Sequence, residues 1–460
     1  MIWACSCFSK RFEWIVSVPE MKAMTRRVTL FCFATLLVLL PLAFEQAGAV
    51  ENWPGYRGPH KNGRADEAKL PISWSEEENV TWKTAIKGKA WSTPVVWGDR
   101  VFVTNAPEDG SNLTFHCLDK NTGKMLYSKR LHSVALPQYC HPFNSYASCS
   151  PVAEEGRVYV SYGSPYNACL DMETGDVIWE RTDFVCNHFR GPGSSPTIYN
   201  DMLILNFDGS DQQYVVALDK NTGKTLWRTD RTVDYQDIDP ETGKIQREGD
   251  WRKAFSTPLV IESGDRSMLV SMGSMAVYAY DPADGKELWR AEFIESHSGA
   301  CRPIFENGLI YLPIGSGAEL WAIRPDGSGV LGDDSIVWKH KRVAVPRRSS
   351  LVLVDDSIYM VDDDGVAACV DVETGKPIWK KRLGSNFSAS LIYADGRIYF
   401  FDQEGKATVI KASRDYEVLA ENELDEGFMA SPAVSGDSLF VRTRTHLYRI
   451  DGAEGQSAAN

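Results

Sequence analysis

Short apolar runs, each followed by a polar turn and a second apolar run, recur along most of the chain. The first reads Val95-Val-Trp-Gly-Asp-Arg-Val-Phe-Val103 and is preceded by Ser92-Thr-Pro94. Runs rich in Val, Ile, Tyr and Phe, separated by Gly, Asn and Asp pairs that tolerate positive φ, predict β-hairpins. Equivalent hairpins are predicted to start near Ser148, Ser194, Ser256, Ala300, Ser349, Ala389 and Ser431.

A second pattern follows most of these hairpins: Asp, two variable residues, Thr-Gly-Lys, two more residues, and Trp. Its clearest copy runs from Asp219 to Trp227. The Thr-Gly pair predicts a turn between a third and a fourth strand, and the Trp is predicted to pack between neighbouring units. The residues given this structural role are Asp171, Gly175, Trp179, Asp219, Gly223, Trp227, Asp281, Gly285, Trp289, Asp371, Gly375 and Trp379.

Four strands per unit, repeated about every 40 to 50 residues, predict a β-propeller. We therefore expect an all-β chain with eight four-stranded antiparallel blades, and seven blades as the alternative. The last unit supplies only three strands, Ser431–Val434, Ser438–Arg442 and His446–Ile450. Residues Asn79–Ala85 form a strand without a unit of their own, so we expect them to complete the last blade and remove a free sheet edge.

The first 49 residues follow a different pattern. The basic stretch Met24-Thr-Arg-Arg27 precedes an apolar run from Val28 to Phe44 and the small residues Ala47-Gly-Ala49. This order predicts a secretory signal peptide over 1–49, in which the start codon is placed upstream of the true one. The protein is therefore expected to be periplasmic or secreted. A membrane anchor is the alternative. The other predicted boundaries are an N-terminal extension at 50–78, the propeller at 79–452 and a disordered tail at 453–460.

Composition narrows the classes of partner. The formal net charge of −13 argues against binding to nucleic acid, because the overall negative field would repel phosphates.

Seven cysteines follow the leader, and Cys140, Cys149, Cys169 and Cys186 could form disulfides with one another. Cys117, Cys169 and Cys369 each lie two residues before the Asp of a repeat, which favours buried apolar side chains.

The repeated phrase Asp-x-x-Thr-Gly-Lys-x-x-Trp, the Ser and Pro residues before the hairpins (the Ser-Pro starts) and the leader are similar to those of the pyrroloquinoline-quinone (PQQ)-repeat propellers. The resemblance covers about residues 53–452. That superfamily includes quinoprotein alcohol dehydrogenases and the propeller of the outer-membrane assembly machinery. The opening Asn52-Trp-Pro-Gly-Tyr-Arg-Gly-Pro59 is similar to the start of an exported subgroup. Resemblance to the dehydrogenases implies a quinone bound in the central funnel. That quinone would be stacked on a Trp, covered by a disulfide between adjacent cysteines and accompanied by Ca²⁺. The chain has no Cys-Cys pair, so we predict no cofactor, and PQQ with Ca²⁺ belongs only to the quinoprotein alternative.

Residues just before each first strand are expected to line one mouth of the central channel. They are rich in arginine, histidine and aromatic side chains, which suggests a funnel for an anionic or polar ligand with arginines as clamps. The candidate ligand-binding residues are Trp91, Asn144, Tyr146, His188, Arg190, Lys253, His297, Arg302, Arg347 and Arg348.

The function predicted from these features is an exported, non-catalytic binding or scaffold module. Its partner would be a protein, a glycan or a polar or anionic small molecule, and no membrane would be involved after cleavage. A quinoprotein oxidoreductase and a polysaccharide-active hydrolase or lyase are the alternatives. The insertion Asp230–Asp250 carries alternating carboxylates at Asp234, Asp237, Asp239 and Glu241, but no full Ca²⁺-loop signature is present, so we predict a partner-contact loop and no metal.

Overall fold

The computed structural model describes residues 51–452 except 248, 294–295, 298 and 315–317. The predicted leader and the predicted tail lie outside this range. The described residues form eight four-stranded antiparallel sheets arranged in a ring, which confirms the eight-bladed propeller and makes the seven-bladed alternative wrong. Within the same range no helix is long and apolar enough to cross a membrane.

The strands follow one another in chain order, blade by blade. Two short strands precede the first blade: β1 (Arg64–Ala65) and β2 (Val80–Ala85). Blade 1 contains β3 (Val95–Trp97), β4 (Arg100–Asn105), β5 (Asn112–Asp119) and β6 (Met125–Ser133). Blade 2 contains β7 (Val152–Glu154), β8 (Arg157–Ser161), β9 (Asn167–Asp171) and β10 (Val177–Arg181). Blade 3 contains β11 (Thr197–Tyr199), β12 (Met202–Asp208), β13 (Gln213–Asp219) and β14 (Thr225–Asp230).

The next blades repeat this order. Blade 4 contains β15 (Leu259–Ser263), β16 (Arg266–Met272), β17 (Ala276–Tyr280) and β18 (Glu287–Glu292). Blade 5 contains β19 (Ile304–Glu306), β20 (Leu309–Ile314), β21 (Glu319–Ile323) and β23 (Ile336–Lys341). Between the last two, β22 (Gly329–Val330) pairs in parallel with β18. Short 3-10 helices cover Gly249–Arg252 and Asp333–Ser335.

The last three blades close the ring. Blade 6 contains β24 (Val352–Val354), β25 (Ser357–Val361), β26 (Val366–Asp371) and β27 (Pro377–Arg382). Blade 7 contains β28 (Ile392–Ala394), β29 (Arg397–Phe401), β30 (Lys406–Lys411) and β31 (Val418–Glu423). Blade 8 contains β32 (Ala433–Ser435), β33 (Ser438–Arg442) and β34 (His446–Ile450), and β2 is its fourth strand, pairing antiparallel with β34. The predicted closure by the N-terminal strand is confirmed.

The repeated phrase joins one blade to the next. The Asp219 carboxylate accepts bonds from the Thr222 amide (2.8 Å) and hydroxyl (2.9 Å), which shapes the turn. The Trp179 indole of the preceding blade donates to the carbonyl of Lys220 (2.9 Å). Gly223 lies under that indole with φ +71°, and a Cβ there would come within 2.7 Å of the ring. A side chain at this glycine would therefore push the two blades apart.

The core is divided among the interfaces between blades, where aromatic and branched side chains of adjacent sheets interlock. Cys117, Cys169 and Cys369 are fully buried within it, as the sequence predicts. All seven cysteines of the described range are free thiols, so the pairing considered for Cys140, Cys149, Cys169 and Cys186 does not occur.

Candidate functional site

One end of the central channel is sealed by the chain itself. Residues 51–66, which we call the arm, run along the inner edges of the first strands of several blades. Trp53 forms a bridge with Val96 of β3, and the carbonyl of Pro54 accepts a bond from Ala153 of β7 (2.7 Å). Further on, β1 pairs in parallel with β28. The arm therefore pairs backbone groups that the inner strands would otherwise present to the channel.

Side chains of the arm fill the sealed end. Trp53 is fully buried, and Arg57 is 3% exposed. The Tyr56 hydroxyl bonds to the hydroxyls of Ser350 (2.8 Å) and Ser390 (2.9 Å), in blades 6 and 7. The Arg57 guanidinium donates to the carbonyls of Leu351 and Leu391. These contacts fix the arm across the channel by bonds to two blades at once.

A ring of hydroxyl groups surrounds the channel beside Tyr56. Each blade but the fifth has Ser or Thr just before its first strand, and in six cases the backbone amide of one blade donates to the hydroxyl of the next, at 2.9–3.0 Å. We call these residues the hydroxyl ring: Thr93, Ser150, Ser195, Thr257, Ser350, Ser390 and Ser431. Because each bonded hydroxyl accepts from a backbone amide, its own proton is left to donate. The Ser-Pro starts seen in the sequence therefore carry this ring.

The other end of the channel is open and forms a cavity of about 750 Å³, which we call the cup. Tyr56 and five members of the hydroxyl ring lie at its floor. Its wall combines aromatic and apolar side chains with cations: Trp91, His141, Phe143, Phe255, Val345, Met429, Arg190, Arg342, Arg347, Arg348 and Lys380. Hydroxyls beneath an aromatic and cationic wall suit a ligand that has both an apolar part and a polar or anionic group.

Carboxylates hold two of the cup arginines in place. Arg348 Nε lies 2.9 Å from an oxygen of Asp363, and Arg190 Nε lies 3.0 Å from an oxygen of Asp250. Burial raises the pKa of Asp363 above its ordinary value, although Arg348 favours the charged form. Burial likewise lowers the pKa of Arg348. Desolvation therefore opposes both charges of this pair, and Arg348 is not a freely available clamp.

Arg347 differs from its neighbour. Its side chain is exposed at the cup, and no hydrogen bond or ion pair of that side chain is found within the described range. Its backbone amide donates to Asp363 (3.1 Å), so the main chain is fixed while the guanidinium is available. Arg347 is therefore available to meet a ligand at the mouth.

The loop between β6 of blade 1 and β7 of blade 2 lies over the cup. The Phe143 ring lies 4.3 Å from the Arg348 guanidinium carbon of blade 6, and the Phe143 carbonyl accepts a bond from the Trp91 indole (3.0 Å). Asn144 donates to the carbonyls of Arg190 and Pro192, both at 2.9 Å. The loop thus spans the mouth by a cation–π contact and leaves Phe143 37% exposed.

Of the ten predicted ligand residues, five line the cup: Trp91, Asn144, Arg190, Arg347 and Arg348. Ligand binding by these five stays a prediction. The other five, Tyr146, His188, Lys253, His297 and Arg302, do not line it. Tyr146 donates to the Gln138 carbonyl (2.6 Å). The His297 ring lies tilted against Trp251, with its Nδ1 3.9 Å from an oxygen of Asp250. Arg302 is buried at the sealed end, beside Tyr56.

His188 and Lys253 form a separate buried cluster with Cys186. The Ser164 amide donates to His188 Nε2 (2.8 Å), so the ring proton lies on Nδ1, 3.3 Å from the Lys253 amine. Burial lowers the pKa of Lys253 and of His188. Both side chains are buried and do not line the cup, so they cannot clamp an anion there.

Sequence reasoning also missed parts of the cup. Asp362-Asp-Asp364 is not among the ten predicted ligand residues, and Asp362 caps a turn by accepting the Val366 amide (2.8 Å). The same three carboxylates nevertheless line the cup. Tyr56 gave no signal, because it lies outside the repeats and reaches the floor only through the path of the arm.

The acidic insertion does not assemble a metal site. Asp237 pairs with Arg252 (2.7 Å), and Asp239 accepts the amides of Glu241 and Thr242 in a turn. Across the part of the chain that the structure describes, no group of three or more His, Cys, Asp or Glu side chains could hold a metal ion. The cup carboxylates are included in this statement.

Three comparisons place the chain among known proteins. A family model described as outer membrane protein assembly factor BamB matches residues 116–238 and 232–459. Outer membrane protein assembly factor BamB of Yersinia pestis is 22% identical over 335 residues, which are 65% of this chain and 83% of that protein. An uncharacterised protein of Rickettsia conorii is 22% identical over 295 residues, which are 63% of this chain; the chain spans 62% of that relative's length.

A solved structure gives the same fold. The quinohemoprotein alcohol dehydrogenase of Comamonas testosteroni superposes with a TM-score of 0.62 at 12% identity, over 86% of this chain and 80% of that one. At this identity the likeness concerns the fold alone.

Proposed function

Because the chain belongs to the propeller family described as outer membrane protein assembly factor BamB, we propose that it is an exported, non-catalytic scaffold that binds a protein partner at the cup. An anionic or polar group of the partner enters the cavity and meets Arg347 and the hydroxyl ring. The relatives named as assembly factors support a protein partner. The leader pattern in the sequence supports export to the periplasm.

One observation carries this proposal: the channel is closed by the arm at one end and opens at the other as a cup of about 750 Å³. A closed floor gives a partner a defined depth and a single direction of approach. The aromatic wall around Phe143 resembles the residue types that dominate protein interfaces, and its cations suit a partner with acidic groups.

The residues do not favour a quinoprotein. Among the carboxylates of the cup, Asp363 is paired with Arg348 and Asp362 caps its own turn. The sequence lacks the adjacent cysteines that the dehydrogenases use. Purified protein given PQQ and Ca²⁺ should show no dye-linked alcohol oxidation above a protein-free control.

The binding proposal is tested by photo-crosslinking in the native envelope. A photoreactive residue in place of Phe143 should capture one discrete partner, whereas the same residue in place of Leu226, which is 51% exposed on an outer strand, should not. Arg347→Glu should reduce capture at position 143 by about tenfold, because it reverses the available charge at the mouth. Arg266→Glu, at an exposed hairpin start, is the matched charge reversal and should leave capture unchanged. Equal capture at both sites, or no effect of Arg347→Glu, would refute the proposal.

A further inference from the structure

The fifth blade departs from the hydroxyl ring in one residue. Where seven blades carry Ser or Thr, this blade carries Arg302. Its backbone amide still donates to Ser350 (2.9 Å), so the ring geometry is kept while the side chain turns into the sealed end. The guanidinium donates to the carbonyls of Tyr56 (3.0 Å) and Pro258 (2.6 Å), and Nε is buried without a partner in the part of the chain described here.

The arm brings a second cation to the same corner. Lys61 Nζ lies 3.5 Å from the carbonyl of Ile198 in β11. The adjacent Thr197 hydroxyl donates to the carbonyl of Pro258 (3.1 Å), which is the oxygen that also binds Arg302. Lys61 and Arg302 therefore converge between blades 3 and 4, and Arg57 of the arm lies on the side of blades 6 and 7.

This cluster has no carboxylate in contact. Within the described range, the oxygen partners found for Arg57, Lys61 and Arg302 are all backbone carbonyls. Burial lowers the pKa of Arg302 to about 9 and of Lys61 to about 8, and the charge of Arg302 contributes to the second effect. A guanidinium keeps its proton in proteins, and a buried charge without a counter-charge is costly. The sealed end therefore needs a negative charge that the chain does not supply.

We propose that a monoatomic inorganic anion, a halide such as chloride, binds at the sealed end between Arg302 Nε and Lys61 Nζ. The size follows from the donors. Nη1 and Nη2 of Arg302 each already donate to a carbonyl, so Nε is the guanidinium nitrogen that has no partner beside the ammonium. Carboxylate and phosphate groups prefer two parallel guanidinium bonds, whereas a monoatomic anion needs only this one nitrogen and the ammonium. The bound halide neutralises the corner and ties the arm to blade 5.

The first test is an anion titration of the full chain. The thermal unfolding midpoint is measured at constant ionic strength while gluconate is replaced by chloride. The wild type should gain about 2 °C or more along a saturable curve. Lys61→Met should lose most of this gain, whereas Lys69→Met, which removes an exposed lysine just beyond the arm, should keep it. A wild-type midpoint that does not depend on chloride, or a Lys61→Met variant that responds like the wild type, would overturn the proposal.

The second test uses crystals of the wild type and of one variant. After exchange into bromide, anomalous diffraction should show a peak within hydrogen-bonding reach of Lys61 Nζ and Arg302 Nε. Peaks only elsewhere, including in the cup, would overturn the proposal. Arg302→Ser restores the residue type found in the other seven blades and should abolish the bromide peak. A peak that survives this substitution would also contradict the assignment.

Discussion

The two ends of the central channel use arginine in opposite ways. At the sealed end, Arg57 and Arg302 are buried and donate to backbone carbonyls of the arm and the inner strands. At the cup, Arg348 and Arg190 are held by carboxylates, and Arg347 is exposed to solvent.

The difference separates stability from recognition within one channel. Carbonyl partners fix a guanidinium through several directed bonds in a dry environment, so removing it leaves buried acceptors without donors. At the cup, the exposed Arg347 side chain makes no such bonds within the described range, so its removal should change folding little. We therefore expect substitutions at the sealed end to change unfolding and substitutions at the cup to change binding.

The largest effect should come from the aromatic residues. Trp53→Ala removes a fully buried indole at the sealed end and should lower the free energy of unfolding by about 3–5 kcal/mol. Phe143→Ala, at the cup, should cost less than about 1 kcal/mol because the ring is 37% exposed. Urea denaturation of both variants measures the contrast. Equal losses would show that the cup contributes to folding as much as the arm does.

The same substitution of an arginine at each end gives the next effect. Arg57→Met leaves the carbonyls of Leu351 and Leu391 without their donor, and we expect a loss of about 2–3 kcal/mol. Arg347→Met should stay within about 0.5 kcal/mol of the wild type, because no partner in the described range depends on that side chain. Urea denaturation of the two variants, run side by side, is the measurement. A clear destabilisation by Arg347→Met would mean that the exposed arginine has a structural role.

Tyr56→Phe changes a residue that belongs to the arm at the sealed end and also lies at the floor of the cup. It removes the hydroxyl that bonds to Ser350 and Ser390, so we expect about 1 kcal/mol less stability and unchanged crosslinking from position 143. Chemical denaturation and the crosslinking assay are run on the same preparation. Loss of crosslinking at full stability would show that the partner contacts the Tyr56 hydroxyl itself.

The remaining effect is a pH dependence at Lys61. Its pKa falls from 10.5 to about 8 on folding, chiefly through burial. Between these values the unfolded chain binds a proton that the folded chain has lost, so the contribution of Lys61 to stability rises as the pH increases from about 8 to 10.5. The wild type should therefore gain stability relative to Lys61→Met over this range, measured by urea denaturation in gluconate. Saturating chloride should flatten the gain, because the anion favours the charged lysine.

The propeller could be predicted because its turns are local. Asp219, Gly223 and Trp227 lie within nine residues of one another, so one phrase encodes a turn and an interface together. The ring closure could be predicted by counting strands. The last unit has only three strands, and the strand Asn79–Ala85 belongs to no unit. Eight blades and their closing strand were predictable for these reasons.

The candidate site was less predictable because its contacts join distant parts of the chain. Tyr56 and Ser390 are separated by 334 residues, and most acceptors of the arm are backbone carbonyls, which leave no trace in residue type. Positions before each first strand were treated as equivalent, but their loops differ in length. His188 and Lys253 are consequently placed below the surface while Arg190, two residues after His188, reaches the cup.

The pairing of β2 with β34 affects the order in which the blades unfold. An open array of repeats has two outermost members, each held by one interface, and these fray first. In this ring every blade is held by two neighbours, so detaching any one of them breaks both interfaces. In blade 8, β2 is joined to β34 by strand pairing alone, without a turn that links the two strands along the chain. We therefore expect that seam to part first in native-state hydrogen exchange, and the remaining blades to follow in a single cooperative step.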